Sequence, residues 1–310
     1  MHVAAAAIFD AQGRVLIARR PEHVHQGGLW EFPGGKLEAD ETVEVALRRE
    51  LREEVGIEIV SARPLIRVRY DYPDKAVLLD VWRVDAFQGD AHGRERQPLV
   101  WVSPEDLSGY EFPQANKPII RAVRLPDRYL ITPEPNGDQQ VFLDSLSAAL
   151  LRGVRLVQLR AKQLPLNDYI QLAREVCRLC HIQGARLLLN AVPEVAMEAG
   201  ADGVHLTSQR LLALSQRPLS KGLWVAASCH SLEELQHAAA IDVDFAVLGP
   251  VHKTSSHPES LGMGWEGFHA LTDRVGFPVY ALGGMHVEDV EQAHIHGAQG
   301  IAAISGLWVQ

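Results

Sequence analysis

Three cysteines are too few, and odd in number, to staple a chain of 310 residues. The thiols are therefore expected to be reduced, as in a cytoplasmic protein. Long apolar runs are also missing: none approaches the ~18 residues of a membrane span. The N-terminus, Met1-His-Val-Ala-Ala-Ala-Ala-Ile-Phe-Asp10, lacks the basic opening of a signal peptide and reads as a first strand. Positive charge is in short supply. Lys and Arg number 30 against 39 Asp and Glu, a net charge of −9. That leaves no basic footprint for tracking a nucleic-acid backbone, although a nucleotide can still bind through a bridging metal. Cys177-Arg-Leu-Cys180-His181 spells a haem-attachment pattern. It falls inside an amphipathic helical stretch, Tyr169 to His181, and the two thiols are expected partly in the core.

What is present is an unusual density of acid in one short stretch. Glu50, Glu53 and Glu54 are spaced i, i+3, i+4 and fall on one helical face. Like charges so placed repel by a few tenths of a kcal/mol per pair. Interleaved Arg48, Arg49 and Arg52 would suit a merely solvated face. The flanks argue otherwise: Phe32-Pro-Gly34-Gly35 lets backbone approach a ligand, and Gly56 suits a helix C-cap. Packed hard oxygens suit Mg²⁺ or Mn²⁺.

Gly35, Glu41, Arg49, Glu50, Leu51, Glu53, Glu54, Gly56 and Ile57 fill every fixed position of the Nudix hydrolase signature, and the stretch resembles that family. Arg19-Arg20, Trp30-Glu31-Phe32-Pro-Gly-Gly35, Gly93-Arg-Glu95-Arg-Gln-Pro98 and Phe112-Pro-Gln-Ala-Asn116 extend the likeness to its MutT branch. The resemblance covers nearly all of residues 1–125. It implies a mixed-sheet α+β sandwich that hydrolyses oxidised guanine nucleotides such as 8-oxo-dGTP to the monophosphate and pyrophosphate. Glu50, Glu53 and Glu54, with the Gly35 carbonyl, would hold Mg²⁺ (or Mn²⁺), and the resemblance adds Glu95 from its loop. One carboxylate must take a proton from the attacking water; Glu50 and Glu53 both remain candidates. Arg49 would orient the glutamates by bidentate pairing, with Glu41 structural. For the base, Phe32 offers a flat apolar surface, the Asn116 amide both a donor and an acceptor, and Arg20 a cation.

Arg121 to Asp138 reads as the boundary, turn-rich around Pro133-Glu-Pro-Asn-Gly-Asp138. Beyond it strand and helix alternate. Eight short apolar strands, near residues 129, 155, 186, 203, 223, 245, 279 and 300, predict a compact α/β domain over 126–310, a (β/α)8 TIM-type barrel. Almost no residues follow the eighth strand to make an eighth helix. Gln158, Arg160 and Lys162 end strand two, Asn190 strand three, Gly283-Gly284 strand seven and Ser305-Gly306 strand eight. Such glycine-rich strand ends cradle phosphate.

Val157-Gln-Leu-Arg-Ala-Lys162, Ala199-Gly-Ala-Asp-Gly-Val-His-Leu206, Gly249-Pro250 and Ala281-Leu-Gly-Gly284 resemble thiamine-phosphate synthases. Those enzymes join a pyrimidine diphosphate to a thiazole phosphate, with Mg²⁺ on the diphosphate. The resemblance implies that Gln158, Arg160, Lys162, Asn190 and Ser228 face a pyrimidine ligand and that Thr254 sits in the phosphate loop. The chain departs from the pattern where the family places two metal-binding aspartates: Ala191 and Arg210 stand there, and Thr254-Ser-Ser256-His257 replaces Thr-x-Thr-Lys. The expectation is a Mg²⁺-dependent nucleoside triphosphate pyrophosphohydrolase serving nucleotide-pool sanitation and hence DNA replication and repair. Its barrel is expected to bind a thiazole or pyrimidine phosphate but to be degenerate as a synthase. A bifunctional enzyme with an active synthase, and a hydrolase regulated by a ligand-sensing barrel, are the alternatives.

Overall fold

The computed structural model describes residues 1–73, 75–253 and 262–309. They divide into two compact units, Met1–Arg124 and Leu125–Gln310.

The first unit is built around β1 (His2–Ile8), a strand of small apolar residues. Its alternation serves two layers. Ala4, Ala6 and Ile8 pack with Ala46, Leu47 and Leu51 of helix α1 (Val43–Glu54). Ala5 and Ala7 share a second core with Ile119, Ala122 and Val123 of helix α2 (Lys117–Arg124). Alanine on both faces lets the helices approach the sheet closely. Leu47 and Leu51 are fully buried, each contributing about 1.5–3 kcal/mol. β1 pairs parallel with β6 (Ala76–Gln88) and antiparallel with β4 (Gly34–Lys36). A smaller sheet joins β2 (Val15–Arg19) to β3 (Trp30–Glu31) and β7 (Leu99–Val102). The sequence reads as two strands between residues 58 and 72. The structure has one, β5 (Glu58–Asp71), paired with β6 through register shifts on both sides of Ser61 and after Pro64. The shift after Pro64 absorbs the proline that a regular ladder would reject.

The second unit is a closed parallel barrel. Its strands are β8 (Arg128–Ile131), β9 (Leu156–Leu159), β10 (Arg186–Leu189), β11 (Gly203–Leu206), β12 (Trp224–Cys229), β13 (Phe245–Leu248), β14 (Val279–Leu282) and β15 (Gly300–Ala303). β15 pairs with β8, Ile301 opposite Arg128, so the ring closes despite the short chain after β15. Tyr129, Phe245 and Tyr280 fill the interior, with ring centroids 5.3–5.7 Å apart. The longest helix of this unit, α3 (Leu166–Ile182), buries Cys177 and Cys180. The Cys177 thiol donates to the Gly200 carbonyl at 3.0 Å, and His181 pairs with Asp202 at 2.9 Å, so the haem-like pattern is structural. No helix among the described residues is long and apolar enough to cross a membrane.

Candidate functional site

In the first unit, Thr42 caps α1 by accepting from the Val45 N–H. The helix buries its Ala46–Leu47–Leu51 stripe, and Glu50 and Glu54 flank that stripe one turn apart. Opposite them runs β4, where two adjacent glycines do different work. A Cβ on Gly34 would lie 2.1 Å from the Ala4 carbonyl oxygen, and its φ is +149°. A Cβ on Gly35 would lie 2.1 Å from the Glu50 carboxyl carbon, so that carboxylate rests directly on the Gly35 backbone.

Glu54 accepts from the Gly34 N–H at 2.9 Å and from the Gln97 amide at 3.4 Å. Burial pushes its carboxyl up to about 7 against those two hydrogen bonds, and the charges of Glu31 and Glu95 push the same way. Arg49 does not make a bidentate pair with Glu50, Glu53 or Glu54. Its fork closes on Glu41, both distances 2.9 Å, leaving one bond to Glu50 at 2.8 Å and a longer one to Glu53 at 3.4 Å. The guanidinium and the Glu38 N–H hold the Glu41 carboxyl down to about 2. Glu41 thus anchors Arg49, which in turn restrains Glu50.

As placed, no three acidic, histidine or cysteine side chains among the described residues gather closely enough to hold a metal ion. Glu53 is 63% exposed and points to solvent, and Glu95 is exposed on its loop. The donor chemistry nevertheless fits a hard divalent cation. All the donors are oxygens, and Glu54 is half-buried beside two further carboxylates whose charges oppose its ionisation.

Arg20, Phe32, Gly35 and Asn116 line one cavity of about 210 Å³ together with Glu31 and Tyr72. Phe32 is 4% exposed and stacks on Phe112 at 5.7 Å, so it is both core and cavity wall. Arg20 is tied to the His25 carbonyl and to Glu31. Burial raises the Glu31 carboxyl despite that partner. Glu31 and Gln97 are the residues that the sequence reading passes over. Both lie inside quoted motifs, but nothing in their spacing marks one as a half-buried acid or the other as the hydrogen-bond partner of Glu54.

In the barrel, Gln158, Arg160, Lys162, Asn190, Ser228, Gly283, Gly284 and Ser305 come together on a cavity of about 550 Å³ at the C-terminal ends of the strands. Lys253 and His230 join them, unanticipated. Gly306 does not line this cavity; it packs against the Met285 backbone, where a Cβ would lie 2.1 Å from the carbonyl oxygen. Thr254 lies outside the described residues. Among the described residues the cavity wall carries the cations Arg160, Lys162 and Lys253 and no carboxylate. Arg210 donates to the Asn190 side-chain oxygen at 3.2 Å, and Glu134 is engaged by the N–H groups of Lys162 and Gln163. This wall does not fit a divalent cation.

Comparison with known proteins decides the assignment. A model of the thiamine monophosphate synthase family matches residues 128–307, and a NUDIX domain model matches residues 4–122. The chain belongs to the thiamine monophosphate synthase family and carries a Nudix hydrolase domain before it. A putative thiamine-phosphate synthase 2 of Aquifex aeolicus is 38% identical over 183 residues, 59% of this chain and 98% of that protein. The CTP pyrophosphohydrolase of Escherichia coli is 41% identical over 38% of this chain and 87% of its own length. The 8-oxo-dGTP diphosphatase of the same organism is 36% identical over 40% of this chain and 96% of its own length. The Nudix domain is that of a pyrophosphohydrolase, and Nudix hydrolases use divalent metal.

Barrel stability should depend on pH through His205. Burial lowers its pKa to about 3, and it faces the Tyr129 phenol, which burial keeps protonated. The unfolded chain takes a proton on this residue below about 6.5, whereas the folded barrel refuses it. This contribution is therefore complete above pH ~6.5 and is lost progressively as pH falls toward 3. Urea midpoints measured from pH 7 to 4 should fall in the wild type and fall less steeply in His205→Gln.

Proposed function

We propose that the Nudix domain hydrolyses oxidised guanine nucleoside triphosphates, 8-oxo-dGTP foremost, to the monophosphate and pyrophosphate with Mg²⁺, serving nucleotide-pool sanitation. The observation that carries this reading is the single cavity uniting Arg20, Phe32, Asn116 and Gly35 beside the glutamate face of α1. At about 210 Å³ it suits one ring system, with the phosphates extending out over the helix. Mg²⁺, or Mn²⁺ in its place, supplies charge neutralisation on the phosphates when bound. Glu50, Glu53, Glu54, Glu95 and the Gly35 carbonyl are the oxygens for it. Glu50 or Glu53, which both accept from Nη1 of Arg49, takes the proton of the attacking water. Asn116 offers a purine edge a donor and an acceptor from a side chain that is 8% exposed. Asn116→Ala is expected to cut the kcat/KM preference for 8-oxo-dGTP over dGTP by about tenfold or more; unchanged discrimination would refute this role. A CTP-directed hydrolase is the second reading, favoured by the 41% identity to the CTP pyrophosphohydrolase.

For the barrel we infer binding of a thiazole or pyrimidine phosphate without synthase turnover. Three cations and no carboxylate on the described wall can hold a phosphate ester directly, and nothing there would gather Mg²⁺ onto a diphosphate leaving group. A thiazole phosphate should raise the melting temperature of the full-length protein equally in EDTA and in Mg²⁺. Thiamine phosphate formation from the two substrates would overturn the reading.

A further inference from the structure

The loop that carries Glu95 is docked on the C-terminal end of α1, where carbonyls have no partner within the helix. The His92 N–H donates to the Val55 carbonyl and the Arg94 N–H to the Glu54 carbonyl, both at 3.0 Å. The Arg94 guanidinium reaches the Arg52 carbonyl at 3.0 Å. Gln97 completes the cap, its side-chain amide donating to the Glu54 carbonyl at 3.0 Å. A cap needs only that bond, yet the same amide makes two others. Its nitrogen lies 3.4 Å from the Glu54 carboxylate, and its oxygen accepts the Glu95 N–H at 3.0 Å. The amide fits only one way round. A main-chain N–H only donates and a main-chain carbonyl only accepts, so oxygen must face Glu95 and nitrogen must face Glu54. The other Glu54 oxygen accepts from the Gly34 N–H at 2.9 Å, so strand and loop fix this carboxylate from both sides. Gly93 makes room for the arrangement: a Cβ there would lie 2.8 Å from the Gln97 side-chain oxygen and 2.2 Å from its carbonyl oxygen.

We propose that Gln97 is a positioning residue that holds the Glu95 loop against Glu54, so that both carboxylates are offered to one divalent cation. This rests on the reading of Glu54 and Glu95 as oxygens for that cation. The two are close enough for the Glu95 charge to act on Glu54. Neighbouring carboxylates repel, and Glu95 is exposed, so a tie is needed to keep it there. Without the amide, His92 and Arg94 still cap the helix. Glu95 loses the acceptor of its N–H, and its carboxylate is free to move away from Glu54. A cap alone would make Gln97 a matter of stability; a positioning role makes its loss felt through Glu95.

The test uses the full-length protein and Mn²⁺, whose free ion is counted by electron paramagnetic resonance without any substrate. Gln97→Met keeps the side-chain volume and removes the amide. Gln97→Met and Glu95→Ala should each weaken Mn²⁺ binding by about tenfold. The double variant should fall within about twofold of either single one, because both remove the same oxygen donor. Additive losses, or wild-type affinity in Gln97→Met beside a loss in Glu95→Ala, would leave Gln97 a cap only and overturn the proposal. Unchanged affinity in Glu95→Ala would overturn the reading of Glu95 as a metal oxygen, and the proposal with it. A second measurement needs no variant to fold. In the metal-free wild type the Glu95 amide should exchange its proton at least about tenfold more slowly than an unprotected amide. Exchange at the unprotected rate overturns the hold of Gln97 on the loop. In Gln97→Met that protection should vanish while the Arg94 amide, bonded to the Glu54 carbonyl, keeps its own.

Discussion

Replacing Gly35 by alanine should lower nucleotide hydrolysis by about a hundredfold or more while leaving the melting temperature within a few degrees of wild type. The new Cβ would fall 2.1 Å from the carboxyl carbon and 2.2–2.3 Å from both oxygens of Glu50. What it meets is the far end of a side chain, which can swing aside without disturbing strand or helix. Glu50 then leaves its place on the strand backbone and its 2.8 Å bond to Arg49. A displacement of ~1 Å in a reacting constellation is enough to cost on the order of 10²-fold in rate. Steady-state hydrolysis and a thermal melt of the same preparation check both halves. An active Gly35→Ala protein would mean that the Glu50 position against Gly35 is not the one used in turnover.

Gly34→Ala, one residue earlier, should do the reverse and cost the fold. Its Cβ would meet the Ala4 carbonyl oxygen at 2.1 Å and the Ala5 Cα at 2.7 Å, both main-chain atoms of the central strand. Its φ of +149° also disfavours any side chain. Nothing can move except the β1–β4 pairing, and with it the Gly34 N–H that Glu54 accepts. A loss of about 3 kcal/mol or more is expected. Hydrogen exchange reads it directly: amides of residues 2–8 should lose protection while barrel amides such as those of 203–206 keep theirs. Retained protection in β1 would show that the strand pair tolerates the side chain.

The contrast between these glycines shows what the chain makes legible. Both belong to one quoted motif, yet only the fold separates the glycine needed for backbone pairing from the one needed for a carboxylate. Short continuous apolar runs mark all eight barrel strands because both faces of each strand are covered. That signal fails at β5, where the polar, proline-bearing middle mimics a break that bulges in fact bridge. Residue type and helix face foretell the signature acids. Rotamers decide the rest: Arg49 closing on Glu41, and Glu53 facing solvent while Glu54 turns inward, half-buried, to the Gly34 N–H. Lys253 enters the barrel wall from a loop, and Gly306 leaves it for the Met285 backbone. Neither move has a periodic signature. Tyr129 and His205 lie on β8 and β11, which do not pair, and only the barrel interior brings their side chains together; Ser228 follows on β12, the neighbour of β11.

The central claim is that the Nudix cavity reads an oxidised purine. The most direct test is pyrophosphate release by the full-length protein with Mg²⁺, comparing kcat/KM for 8-oxo-dGTP, dGTP, CTP and thiamine diphosphate at low substrate. A large preference for 8-oxo-dGTP over the other three is the predicted result. A preference for CTP or thiamine diphosphate, or none among the four, would contradict it.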